Sequence, residues 1–153
     1  ALPKNVSEAE EYRYVLPESR PLDHRPVVVG AGPAGLFAAL ILAQSGAKPI
    51  VIERGKDVDS RTADVNGFWT SGKLNTESNV QFGEGGAGTF SDGKLTTGIK
   101  DKLCRKVFLD FVEFGAPEEI LSQAKPHIGT DKLRIVVNAL LEKIKEKGVL
   151  NDE

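Results

Sequence analysis

Three glycines between residues 30 and 35 restrict the fold of this 153-residue chain more than any other feature of its sequence. They follow a β-branched run, VVV at 27–29, and precede an apolar run in which leucine and alanine recur at helical spacing. Gly46 ends this run, and a second strand-like run, PIVI, occupies 49–52. This order predicts a right-handed βαβ unit with two parallel strands and short loops.

The glycine spacing gives each glycine a separate function. Gly30 lets the chain turn sharply, Gly32 leaves room for a pyrophosphate against the backbone, and Gly35 lets the helix pack closely on the strand. The first helical turn offers free N–H groups to phosphates. Glu53 ends the second strand, where a carboxylate can accept hydrogen bonds from ribose hydroxyls and repel a 2′-phosphate. The pattern predicts a dinucleotide site; the alternative is a structural glycine turn in an unrelated α/β domain.

The motif alone does not separate FAD from NAD, because both ligands contain ADP. The sequences GAGPAG (30–35) and IERG (52–55) resemble the first nucleotide-binding unit of the two-dinucleotide-binding-domain flavoproteins. More narrowly, NVQFGEGGAGTFSDGKLTTG (79–98) and KPHIGTDKLRIVV (125–137) resemble the bacterial family of FAD-dependent (NAD/FAD-utilising) dehydrogenases. The resemblance covers about 26–149. It implies an α/β, Rossmann-like FAD/NAD(P)-binding fold, represented here by a partial parallel sheet with flanking helices.

The same resemblance implies an FAD-dependent oxidoreductase of unknown substrate, with FAD as cofactor and NAD(P)H as an electron donor. The flavin would carry the redox chemistry while the protein positions it. A different class of function stays open, namely a nucleotide-binding module that uses FAD or NAD as a structural or regulatory ligand.

The glycine-rich segment, defined as residues 79–98, is predicted to be irregular, with room for one or two short strands. The resemblance places it along the pyrophosphate and ribityl chain of FAD, whereas a flexible surface loop is the alternative. The candidate cofactor-binding residues are Gly30, Ala31, Gly32, Pro33, Ala34, Gly35, Glu53, Arg54, Gly85, Gly86, Ala87, Thr89 and Ser91.

Periodicity and capping residues predict the remaining helices. One covers about 59–69, with Trp69 predicted as a core aromatic; the alternative is that Trp69 covers a ligand. The next is capped by Asp101 and ends at Gly115, and a short one begins at Pro117. The last runs from its cap Thr130 to Gly148. The predicted buried faces are Leu103, Val107, Phe111 and Phe114 on the second of these helices, and Leu133, Val137, Leu140 and Ile144 on the last.

The polar residues 1–25, interrupted by three prolines, predict an N-terminal extension to a partial FAD-binding domain at 26–153. The sequence clearly predicts only the two strands of the βαβ unit, whereas a complete doubly wound domain has about six strands. The chain also begins without Met and stops after the last predicted helix. Together these features predict a fragment of a larger flavoprotein that self-associates through its open sheet edge.

Composition sets further limits on function. The net charge of −2 gives no general electrostatic reason to expect binding to nucleic acid or membranes, and the longest apolar run, 36–43, is too short to span a bilayer. A single cysteine, Cys104, fits the cytoplasm. No catalytic acid, base or nucleophile is identifiable, and His24 and His127 are too few for a metal site. Cys104 is predicted to be an inert thiol within a helix.

Overall fold

The computed structural model is an α/β arrangement of short parallel strands and helices. It describes residues 3–8, 11–18 and 20–147, and the backbone of 149–150. The elements of these residues are β1 (Val27–Val29), α1 (Pro33–Gln44), β2 (Ile50–Ile52), α2 (Val58–Ser71), α3 (Leu103–Glu113), α4 (Thr130–Lys147) and β3 (Val149–Leu150), with short 3₁₀ helices at Ala87–Phe90 and Glu118–Leu121.

The sheet has the order β1-β2-β3, and both strand pairs are parallel. Val28 pairs with Val51, which in turn pairs with Leu150. The βαβ unit is confirmed, but the expectation that the chain stops before a further strand is wrong. A two-residue strand leaves no periodic signal in the sequence, and it was therefore missed. Gly148, the predicted end of the last helix, lies outside the described residues.

Helix α1 is bounded by the residues that the sequence indicates. Pro33 occupies its first position, where a missing N–H costs nothing. At its other end Gly46 has a φ of +83°, its N–H donates to Ala43, and the N–H of Ala47 donates to Leu42. This pair of bonds is a Schellman motif, which directs the chain back toward β2. The buried face of α1 consists of Leu36, Ala39, Leu40 and Ala43.

The core lies where α1 meets β1, β2 and α4. The predicted stripe of α4 is confirmed, since Leu133, Val137, Leu140 and Ile144 are all buried. Helix α3 joins this core through the rings of Phe37 and Phe111, which meet edge to face with centroids 5.5 Å apart. Burial of these apolar side chains is the main stabilising contribution to the fold.

One face of the sheet is open in the described part of the chain. Val29 in β1 is 82% exposed, and Val27 and Ile52 are also exposed. Parallel sheets are normally covered on both faces, so this surface marks an incomplete layer among the described residues. In the same part of the chain, no helix combines the length and hydrophobicity needed to cross a membrane.

Helix α2 extends slightly beyond its predicted bounds, and its buried residues are Val58, Arg61 and Val65. Trp69 is 61% exposed, so its prediction as a core aromatic is wrong. Trp69 lies in the last turn of α2, beyond Val65, which is the last buried residue of that helix. The hydrophobic pattern of α2 predicted correctly that one face of the helix is buried. It could not show that the elements packed on this face do not extend as far as Trp69.

Asp101 lies one residue before Lys102, which is the N-cap of α3, so the predicted cap position is off by one residue. The Asp101 carboxylate still accepts a hydrogen bond from the N–H of Leu103, the first residue of the helix, at 2.7 Å. Leu103 itself is 55% exposed and does not belong to the buried face. Thr130 is the first residue of α4 rather than its cap. The carbonyl of Gly129 accepts the bond from Leu133, and the Thr130 hydroxyl donates to the carbonyl of Ser91 at 2.9 Å.

The described residues of the N-terminal segment form no helix or strand. Arg25 donates to the carbonyls of Lys48 and Pro49 at 2.7 and 3.1 Å, which connects the segment to the start of β2. The Tyr14 ring lies 5.3 Å from the ammonium group of Lys106 on α3. The division of the chain at residue 26 stays a prediction.

Gly35→Ala should destabilise the fold, because a Cβ at this position would overlap the carbonyl oxygen of Gly30. The expected loss in free energy of unfolding is about 1–3 kcal/mol, measured by chemical denaturation. Gly67→Ala is the matched control. Gly67 lies on an exposed part of α2, where an added Cβ would meet nothing within 4 Å, so Ala should stabilise by about 0.5–1 kcal/mol. Equal effects at both positions would contradict the proposed close packing of α1 on β1.

Asp57→Ala should lower the free energy of unfolding by about 0.5–2 kcal/mol at pH 7, because the carboxylate accepts the N–H groups of Asp59 and Ser60. Hydrogen bonds from Ser60, and then from Asp59, lower the pKa of Asp57. The stabilisation is therefore present above the unfolded-state pKa and is lost as the pH falls through the lower folded-state value. Asp57→Asn, which also caps helices well, should keep most of the stability without this pH dependence; denaturation at several pH values measures both.

Candidate functional site

The loop at 30–35, named here the first glycine loop, has the geometry that its spacing predicts. Gly30 has a φ of +95°, and its N–H donates to the carbonyl of Ile52 at 2.7 Å. The carbonyl of Gly32 accepts the first helical bond of α1 from Leu36 at 2.9 Å. Apart from the adjoining residues, no atom of the described part of the chain lies within 4 Å of the position that a Cβ on Gly32 would occupy. The space in front of Gly32 is therefore open to a ligand.

Ala31 connects three of the predicted parts of the site. It is fully buried, and its N–H donates to a carboxylate oxygen of Glu53 at 2.7 Å. The other oxygen of Glu53 accepts from the N–H of Gly55 at 2.9 Å. The Ala31 carbonyl accepts from the N–H of Gly85 at 2.8 Å. The first glycine loop, the end of β2 and the glycine-rich segment are thus held together at one residue.

This geometry gives Glu53 a structural function that the sequence did not reveal. Its carboxylate fixes the backbone of the first glycine loop through the bond to Ala31. An ionised carboxylate has about four acceptor positions, of which two are used here. The predicted ribose contact of Glu53 is compatible with this arrangement and stays a prediction.

The glycine-rich segment packs against the first glycine loop. Gly85 and Gly86 are buried, with φ values of +79° and +65°. A Cβ on Gly86 would lie 3.2 Å from both Gly32 and Pro33, and one on Gly85 would overlap the hydroxyl of Thr89. Both positions therefore require glycine for conformation and for space.

The short strands considered for this segment are not found in the described residues. The segment contains the 3₁₀ helix Ala87–Phe90 and one antiparallel bridge, between Lys94 and His127. At residues 83–86 the segment contacts the first glycine loop, residues 55–56, Arg61 of α2 and Val137 of α4.

Arg61 is the main residue that the sequence analysis missed. It is fully buried in α2, and its guanidinium group also lies 4.9 Å from the centre of the Phe90 ring. Burial lowers the pKa of Arg61, and the carboxylates of Glu53 and Glu84 oppose that shift, so the group stays charged. The guanidinium donates to four carbonyls of the glycine-rich segment: Asn79, Val80, Glu84 and Gly86, over 2.6–3.3 Å.

A signal for Arg61 was present in the sequence. It follows Val58 by three residues and precedes Val65 by four, so it occupies the apolar side of α2. A charged residue at a core position of an amphipathic helix requires internal hydrogen-bond acceptors. The pattern indicated this requirement, but it could not identify the acceptors.

The other candidate residues divide between packed and exposed positions. The Thr89 side chain is buried, and its hydroxyl donates to the carbonyl of Glu84 at 3.3 Å. Arg54 is exposed, lies 4.3 Å from the centre of the Phe82 ring and pairs with Glu77 at 3.5 Å. This ion pair is solvent-exposed and contributes little to stability.

Ala34, Ala87 and Ser91 are exposed. Ala34 lies in the first turn of α1, and Ala87 begins the 3₁₀ helix. Ser91 follows that helix, and its hydroxyl accepts from the N–H of Gly93 at 3.2 Å. These three residues stay predictions as cofactor contacts.

A cavity of about 250 Å³ lies between α1, the glycine-rich segment, α3 and α4. Its wall includes four candidate cofactor residues, Pro33, Gly85, Thr89 and Ser91, together with Lys94. An enclosure of this kind suits an uncharged ring better than a phosphate. The apolar part of its wall is formed by Leu36, Phe37, Leu95, Phe111, Leu133, Val136, Val137 and Leu140.

Lys94 is a charged residue in the wall of this cavity. Lys94 pairs with Asp92 at 2.7 Å, which raises the pKa of Lys94 and lowers that of Asp92. Cys104 is half-buried in α3, with its sulfur 3.9 Å from the carbonyl of Ile99. These contacts do not identify a catalytic acid, base or nucleophile.

Comparison with known proteins finds a family model that matches the part of the chain around the first glycine loop. The family model described as "FAD binding domain" matches residues 25–85, a range that includes the first glycine loop, Glu53, Arg61 and Gly85. An uncharacterized protein of Clostridium beijerinckii is 56% identical over 147 residues, which is 95% of this chain. The chain spans 28% of the length of that relative.

Gly32→Val should leave the fold intact, because a Cβ at this position meets no atom of the described residues within 4 Å, but should fill the space predicted for a pyrophosphate. We expect loss of at least about tenfold in FAD affinity with an unchanged unfolding transition. Gly98→Val, on an exposed loop with equally open surroundings, is the control. Flavin titration of both variants of the full-length gene product measures the effect; wild-type affinity in Gly32→Val would place the ligand elsewhere.

Proposed function

We propose that this chain is the FAD-binding part of an FAD-dependent oxidoreductase, because a family model described as "FAD binding domain" matches residues 25–85. The observation that carries the proposal is the junction at Ala31. There the first glycine loop, the carboxylate at the end of β2 and the glycine-rich segment meet through hydrogen bonds of 2.7–2.8 Å. An unrelated glycine turn would not need all three to meet at one point.

The first glycine loop would hold the pyrophosphate. The N-terminal turn of α1 directs backbone N–H groups and the positive end of its dipole toward the open space at Gly32. Glu53 would bind the ribose of the adenosine half with its remaining acceptor positions while it keeps Ala31 in place.

The glycine-rich segment would contact the flavin half. Gly86 lies against Gly32 and Pro33, and the N–H of Gly85 donates to Ala31, so a chain leaving the pyrophosphate would pass close to both glycines. The neighbouring apolar cavity supports the same assignment, because it offers a wall of side chains to an uncharged ring. When bound, the flavin would supply the redox chemistry, and the described residues would bind and orient it.

The finer fold assignment is part of the proposal. Parallel strands in the order β1-β2-β3 correspond to one half of a doubly wound Rossmann sheet. We assign 26–153 to part of such a domain and 1–25 to an extension before it. Within the proposal, NAD(P)H is the electron donor of the whole protein.

The visible spectrum of the purified full-length gene product tests the proposal directly. Flavin absorption, followed by release and chromatographic identification of FAD, is the expected result. Reduction of that flavin by NAD(P)H would support an oxidoreductase. Bound FAD that no reductant or substrate turns over would favour the nucleotide-binding module, and release of NAD without flavin would contradict the cofactor assignment.

Glu53 can be tested with paired ligands. Wild-type protein should bind 2′-deoxy-ADP about tenfold or more weakly than ADP, because a hydrogen bond to a carboxylate contributes about 1.5–3 kcal/mol. In Glu53→Gln this difference between the two ligands should shrink, even if both bind more weakly because the loop at Ala31 is perturbed.

Glu77→Gln serves as the control for that experiment, since Glu77 is an exposed glutamate whose carboxylate lies 3.5 Å from the guanidinium group of Arg54. It should show the wild-type difference between the ligands. If Glu53→Gln keeps the wild-type difference in affinity between ADP and 2′-deoxy-ADP, Glu53 does not bind the ribose, and its role is limited to holding the backbone at Ala31.

A further inference from the structure

Arg61 directs the carbonyl groups of the glycine-rich segment toward α2. Its two terminal nitrogens both reach the carbonyl of Gly86 at 3.2 Å, and one of them donates to Glu84 at 2.6 Å. Within the described part of the chain, every acceptor hydrogen-bonded to Arg61 is a backbone carbonyl. A planar guanidinium with five N–H donors in a fixed geometry is suited to holding several peptide groups at once.

Fixing a carbonyl also fixes the N–H on the other side of the same peptide group. In a trans peptide the two point in opposite directions, and no cis peptide is found among the described residues. The carbonyl of Glu84 faces Arg61, so the N–H of Gly85 faces away, and this N–H donates to Ala31 at 2.8 Å. Arg61 therefore sets the peptide that joins the glycine-rich segment to the first glycine loop.

The same reasoning applies to the next fixed peptide. The carbonyl of Gly86 is held by Arg61, so the N–H of Ala87 points to the opposite side of the segment. Gly86 itself lies against Gly32 and Pro33, and Ala87 is exposed. Arg61, which is buried on the α2 side of the segment, thus determines which backbone groups the segment exposes beside the first glycine loop.

The fit around Arg61 is close. A Cβ on Gly83 would overlap its Cδ, and the φ of Gly83 is +109°. The Phe90 ring lies 4.9 Å from its guanidinium carbon at the far end of the 3₁₀ helix. Arg61 is therefore enclosed by the segment it holds, and a shorter or uncharged side chain cannot keep the same set of bonds.

We propose that Arg61 is a positioning residue for the flavin half of the cofactor site, acting through the orientation of the peptides at 84–87. The inference rests on the proposed function. The two halves of the ligand should differ in their dependence on Arg61. The ADP half would be held by the first glycine loop, which Glu53 also fixes at Ala31, whereas contacts beyond it would depend on the peptides that Arg61 orients. Loss of Arg61 should therefore weaken FAD binding more than ADP binding.

The experiment compares FAD and ADP titrations of the full-length gene product in its flavin-free form. Arg61→Met removes the donors and the charge, and Arg61→Lys keeps the charge without the planar group. Arg105→Met is the matched control, because Arg105 also donates to a backbone carbonyl, that of Leu121 at 2.6 Å, but does so outside the site.

We expect Arg61→Met to weaken FAD binding about tenfold or more and ADP binding less than about threefold. Arg61→Lys should show the same selectivity to a smaller degree, and Arg105→Met should change neither affinity. Three results would overturn the positioning role. They are an equal loss of affinity for FAD and ADP, unchanged FAD affinity, and failure of both Arg61 variants to fold. Absence of FAD binding in the wild type would instead remove the proposed function, and this inference with it.

Discussion

Two backbone hydrogen bonds of Ala31 determine how the separate parts of this protein come together. Its N–H reaches Glu53 at the end of β2, and its carbonyl receives the N–H of Gly85. Ala31 is fully buried, so neither bond competes with water, and loss of a partner would leave a buried polar group unpaired. Because the open space at Gly32 adjoins this residue, the shape of the proposed cofactor site depends on the same two bonds.

Local patterns were sufficient for the βαβ unit. The run of valines, the glycine spacing and Gly46 each act on neighbouring residues, and the observed β1, α1 and β2 follow from them. The bounds of α2 were predictable to within two residues for the same reason, and so was the bond of Asp101 to the start of α3, although Lys102 occupies the cap position. Helix positions whose burial depends on distant elements were less predictable, as Trp69 and Leu103 show.

The features that the sequence did not reveal are contacts between segments distant in the chain. Arg61 was identifiable as a charge on an apolar helix face, but its acceptors lie 18–25 residues further along. Glu53 was assigned to a ligand from its position after β2, whereas its bond to Ala31 is visible only in three dimensions. The third strand was missed because two residues carry no periodicity. The individual roles of the candidate cofactor residues stay predictions.

The pairing of β2 with β3 has a kinetic consequence. Ile50 and Val149 are partners across about a hundred residues of chain, whereas β1 and β2 are separated by a single helix. Contacts between distant residues form slowly, because closing a long loop costs conformational entropy before any contact repays it. We therefore expect the βαβ unit to form early and β3 to join late. The intervening chain contains the whole glycine-rich segment, so the sheet and the pocket beside it would reach their final form in the same slow step.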